Sequence, residues 1–159
     1  MKKIVDISGK KGVVEVVLDR EGMEVEVVGV FRTKGRERHE LSIRIIHKAK
    51  RTSAKTVLRG VVEDQSFLKL VGTIVIEKDA QQTNSFLKEN VLLLSPDAKA
   101  ETVPNLEILA NDVKCSHAAT ISQIPEEHLF YLMSRGLTKK QAEQMIVDGF
   151  LTIPGLQEA

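Results

Sequence analysis

The stretch "LEILANDVKCSHAATISQIPEEHLFYLMSRGLTKKQAEQMIVDGFL", residues 106–151, changes period in its middle. Up to "DVKCSH" it reads as one or two short strands, and after Pro125 its apolar residues recur at helical intervals. Pro125 followed by Glu126 and Glu127 suits a helix's first turn, because proline lacks only a donor that would be unpaired there and carboxylates favour that pole. Gly136 would end this helix. Thr138 and Gln141 then have capping-box spacing, and Ala142, Met145, Ile146 and Gly149 follow at helical steps. A two-helix hairpin over about residues 124–151 is expected, with Leu129, Leu132, Met133, Met145, Ile146 and Phe150 as its core face.

Working outward, the chain before about residue 78 is a series of β-branched runs cut by turns. The runs are "KIVDIS", "GVVEVVLD", "GMEVEVVGVF", "ELSIRIIHKA", "SAKTVLRGVV" and "SFLKLVGTIVIE", and several alternate apolar with polar residues as a half-buried strand does. The segments "SGKKG" (8–12), "DREG" (19–22) and "TKGRE" (33–37) are rich in glycine and charge and suit tight surface turns. Residues 81–103, around "VLLLSPDAKAE", read as polar. Strand spacing of this kind is compatible with a sandwich, a barrel or a stack of solenoid coils, and no clean internal repeat separates the three.

The 159 residues are enough for one domain with a substantial core. With 23 lysines and arginines against 22 acidic residues, the chain has no field that would by itself recruit nucleic acid or an anionic membrane. Its longest apolar runs, such as "VLLL" at 91–94, fall far short of the roughly 20 residues of a spanning helix. One cysteine cannot form an internal disulfide, and no charged leader followed by an apolar run opens the sequence. A soluble cytoplasmic protein is the expectation.

The lone Cys115 lies two places before His117. If both belong to a strand they share a face, about 7 Å apart along the chain. Thiolate and imidazole are ligands that zinc and iron–sulfur clusters favour, yet such centres usually take four. One chain offers too few. The remainder would come from a second copy, another subunit, or carboxylates such as Glu107 and Asp112. Against this, a free cysteine also packs readily as a small buried hydrophobe. A cysteine–histidine enzyme needs an orienting group and an oxyanion hole, which a pair two apart on one strand rarely provides. His39, His47 and His128 stand alone, with His47 expected to face the interior of its strand with both nitrogens satisfied. No phosphate loop, dinucleotide fingerprint or two-histidine zinc helix is present, so the chain is not expected to bind ATP itself.

Residues 106–151, with "DVKCSH" and "FYLMSRG" in that order, resemble the C-terminal signature of the SufB/SufD family, the scaffold subunits of the SUF iron–sulfur cluster assembly system. "GTIVIEKDAQQTNSFLKENVLLLSPDAKAETVPNLEI" (72–108) resembles the family's preceding stretch, and "IIHKAKRTSAKTVLRGVVED" resembles it more loosely. The resemblance covers about residues 39–152 and is closer to SufD in the cysteine–serine–histidine triplet. Ala118, Asn111 and Ser122 stand where the family usually has glycine, aspartate and glycine. The resemblance implies a mainly β fold, a right-handed parallel β-helix over 1–121 followed by an α-helical region over 122–159. It implies a non-enzymatic scaffold, with Cys115 and His117 as metal or sulfur contacts for a transient iron–sulfur cluster at a subunit interface. The implied partners are a SufB-like or second identical subunit, giving a homodimer or larger complex, and a SufC-like ABC ATPase docked on the helices through Phe130, Tyr131 and Arg135. The alternatives are an interaction module of the same fold without a cluster, and a cysteine-dependent enzyme.

Overall fold

The computed structural model describes residues 2–154, so positions 155–159 of the expected helical region lie outside the described residues. Nine strands precede two helices: β1 (Lys2–Asp6), β2 (Gly12–Leu18), β3 (Glu24–Thr33), β4 (Arg38–His47), β5 (Ser53–Val62), β6 (Phe67–Ile76), β7 (Thr83–Leu93), β8 (Lys99–Ile108), β9 (Val113–Gln123), α1 (Glu126–Ser134) and α2 (Lys139–Leu151). The odd strands form one sheet in the order β1-β3-β5-β7-β9 and the even strands a second, β2-β4-β6-β8. Every pairing is parallel. The result is a parallel β solenoid of about four turns followed by two helices.

Each coil contributes one strand to each sheet, and the coils stack in register. Glu24 stands beside Ser53, and Ser53 beside Asn84, so one coil is about 30 residues of chain. Alternation then decides what fills the interior. In β5, Ala54, Leu58 and Val62 point inward and are buried, and they stack with Val25 and other β3 residues below and Leu87 and Val91 of β7 above in one continuous core. Gly9, Gly12, Gly22 and Gly35 take positive φ at the corners expected from their charged, glycine-rich turns.

The strands of the first 78 residues lie where their patterns place them. The reading of 81–103 as polar is corrected: β7 and the first half of β8 lie there. The alternation of β7 is masked because its inward face carries Thr83, Ser85 and Glu89 as well as Leu87 and Val91, while its outward face mixes Asn84, Lys88 and Asn90 with Phe86 and Leu92.

The helices form the expected hairpin. Thr138 accepts from the Gln141 backbone N–H while the Gln141 side chain accepts from the Thr138 N–H, completing the capping box. Val147 of α2 seats on Val61 and Leu92, on the outer face of the β5/β7 sheet. Arg59 donates to the carbonyls of Phe150 (2.8 Å) and Thr152 (2.7 Å), closing the end of α2. The expected core face is corrected in part. Met133 and Met145 are exposed, α1 buries no residue, and the enclosed residues of α2 are Ala142 and Val147. A two-helix hairpin laid on a sheet through one helix has cover for a single stripe.

Candidate functional site

The last coil, β8 and β9, ends the solenoid among the described residues, and both strands are sheet edges. Its inward-facing side chains therefore lack a coil above them. Leu106 (49% exposed), Ile108 (39%) and Ile121 (42%) occupy inward positions that are closed over in the coils below, and Leu109 beside them is also exposed.

Cys115 and His117 both belong to the inward face of β9, so the sequence's inference of a shared face holds. Cys115 stacks over Ser85, is half-buried, and packs against the main core. Burial pushes its thiol pKa up, favouring the protonated form. His117 stacks over Leu87, and its side chain is only 2% exposed. Its Nε2 lies 3.3 Å from Oε2 of Glu89, a carboxyl group with no exposed surface.

Glu89 is the site residue that the sequence did not reveal. Burial pushes its carboxyl pKa up, and the His117 contact opposes that shift. Gly72 of β6 provides the space: a Cβ there would sit 2.7 Å from Glu89 Oε1 and 2.9 Å from His117 Cε1. Oε1 of Glu89 and Nδ1 of His117 remain without a hydrogen-bond partner. The carboxylates expected from the sequence are elsewhere. Glu107 is an exposed outward residue of β8 near Arg44, and Asp112 lies in the exposed turn before β9.

Among the described residues no three histidine, cysteine or acidic side chains gather as a metal site. On the last coil Cys115 and His117 share the inward face beside uncovered apolar side chains, with His117 Nε2 against Glu89 and Nδ1 enclosed without a partner. The other histidines are structural or solvated. His39 bonds the Lys10 carbonyl at 2.7 Å, His47 is satisfied at both nitrogens, and His128 is exposed on α1.

On α1, Phe130 (75% exposed) and Tyr131 (56%) stand clear of the solenoid. Arg135 lies over the Tyr131 ring at 5.2 Å and donates to its hydroxyl at 3.0 Å, so the two act as one polar-rimmed aromatic platform. No helix among the described residues is long and apolar enough to cross a membrane.

The family model "SUF system FeS cluster assembly, SufBD core domain" matches residues 9–150, reaching further back than the motifs at 39–152. Iron–sulfur cluster assembly protein SufD of Escherichia coli (strain K12) is 38% identical over 98 residues, covering 62% of this chain and 23% of its own length. An iron–sulfur cluster assembly SufBD family protein of Staphylococcus saprophyticus is 31% identical over 136 residues, 85% of this chain and 29% of its own. One of Pyrococcus horikoshii is 44% identical over 93 residues, 58% of this chain and 20% of its own. The chain thus spans less than a third of the length of these relatives.

Proposed function

The chain belongs to the SufBD family of the SUF iron–sulfur cluster assembly system, and on that premise we propose that it is a non-catalytic scaffold subunit. In this reading iron and sulfide are its cargo, held by Cys115 and His117 at the end of the solenoid against a second polypeptide, a SufB-like subunit or another copy. A SufC-like ATPase docks on the terminal helices and supplies the driving force, and the assembly works in the cytoplasm.

The observation that carries this is the last coil. Two edge strands and an uncovered apolar face lie beside a donor set too small to complete a cluster alone. Apolar surface and open strand edges favour association, and association would bring the missing donors. A thiol enzyme is a poorer fit, because the Cys115 thiol is pushed toward its protonated form and His117 Nε2 is engaged by Glu89.

Anaerobic reconstitution with ferrous iron and sulfide, followed by visible absorption, tests the proposal. Wild-type protein with its partner subunit should gain cluster absorption, and the Cys115→Ala/His117→Ala variant should not. Equal absorption in both would leave an interaction module that keeps the fold without the cluster.

A further inference from the structure

The two sheets carry their outward charges differently. On the outer face of the even strands basic and acidic side chains compensate one another: Arg44 lies 4.0 Å from Glu15 and 3.9 Å from Glu107, and Lys69 lies 3.7 Å from Glu101. Phe67 on that face is covered by Arg38 at 4.5 Å. On the odd sheet, the outward positions of β5, β7 and β9 hold no acidic residue. Their exposed charges are Lys55, Lys88 and Lys114, and none makes an ion pair among the described residues, where the paired lysines are Lys2 and Lys69. Phe86 stands among them, 45% exposed. Lys55 is beside Phe86 on the neighbouring strand, Lys88 is two residues along the same face, and Lys114 is beside Asn84, one diagonal step away. Strand spacing and rise put all three Cα atoms within about 8 Å of that of Phe86. The α2 helix seats at the other end of this face, on Val61 and Leu92.

We propose that the outer face of β5, β7 and β9 docks an acidic segment of a partner protein that carries an apolar side chain. Lys55, Lys88 and Lys114 meet its carboxylates, and Phe86 receives the apolar side chain. Like charges on neighbouring strands repel, and an acidic partner relieves that repulsion while steering its own approach. An exposed aromatic ring amid such charges supplies the buried area that ion pairs at a surface lack. A nucleic-acid strand fits less well. It needs a basic track with successive stacking rings, whereas this face has one ring, and the adjoining strand β3 turns Glu24 and Glu26 outward beside Ser53 and Lys55. The proposal does not depend on the reading of Cys115 and His117, which lie on the opposite, inward face of β9.

Fluorescence anisotropy of a labelled peptide of glutamates around one central leucine, titrated with the full chain at low salt, tests this. Wild type should bind it, and binding should weaken as salt rises. Lys55→Glu/Lys88→Glu should bind about tenfold more weakly. The pair Lys34→Glu/Lys99→Glu makes the same change in net charge at exposed positions elsewhere and should bind almost as wild type does. Replacing the peptide's leucine by serine should weaken binding to wild type severalfold and to Phe86→Ala hardly at all, since the ring that the leucine covers is gone. Amide shifts in the wild-type NMR spectrum should change on β5, β7 and β9, a readout that stands even if a charge-reversed variant fails to fold. The proposal is overturned by absence of binding, by shifts on another face, by an equal loss in the two charge-reversed pairs, or by a serine peptide that costs both proteins the same. Tighter binding of single-stranded oligothymidylate to this face would overturn it in favour of a nucleic-acid surface.

Discussion

His47 and His117 sit on inward faces of the same solenoid, and their partners give them different properties. Thr52 Oγ1 bonds the Ala49 carbonyl and lies 2.8 Å from His47 Nδ1, while Ser85 Oγ lies 2.9 Å from Nε2. A neutral ring is thus fully satisfied, and burial pushes its pKa down from 6.5 to about 4. The unfolded chain takes up this proton near its ordinary pKa while the folded chain refuses it. Stability from this group is therefore whole above about pH 6.5 and declines as pH falls toward 4, by on the order of 3 kcal/mol. Urea unfolding at pH 7.5 and 4.5 should show that loss in wild type and a correspondingly smaller one in His47→Phe; an equal loss would assign it to another group. The interior placement of His47 was legible because it lies in a run of strong alternation. Glu89 was not, since a glutamate between Lys88 and Asn90 has every mark of a surface residue, and only the stacking of β7 against Gly72 and His117 turns it inward.

Among elements, the hairpin was the most readable, because Pro125, the acidic first turn, Gly136 and the Thr138–Gln141 box are local signals and each acts locally. Which face it buries was less so. That depends on the sheet beneath, where Val61 and Leu92 receive only Val147 and its neighbours. The β7 strand was missed for a similar reason, its polar interior being a property of the stack. The uncovered face of α1 has a direct test. Phe130→Ala and Tyr131→Ala remove exposed rings with no core contact to lose, so folding should be unchanged. Capture of a SufC-like ATPase should weaken at least tenfold, about 1.4 kcal/mol, as expected for aromatic anchors of an interface. Undiminished capture in a quantitative binding assay would move the docking site off α1.

At the scale of the whole molecule, sequence periodicity established a β protein but left its architecture open, since a coil of about 30 residues repeats the parity of its burial and not its residues. The family resemblance selected the solenoid, and the register bears that out. Its last coil then makes a prediction about assembly. Leu106→Lys and Ile121→Lys place charges on the uncovered inward face of β8 and β9, where the lower coils do not depend on them. Light scattering after size-exclusion chromatography should show a dimer in wild type and a monomer in these variants, with their strand content retained by circular dichroism. A dimer surviving both would place the interface elsewhere. The stacked register has one further implication. Since every rung meets its neighbour through the same inter-strand bonds, the count of rungs is free to differ between homologues without altering the terminal one, as with a ladder extended from its foot. A stack of few rungs and one of many can therefore present the same chemistry at the top rung, and the number of rungs is a poor guide to that chemistry.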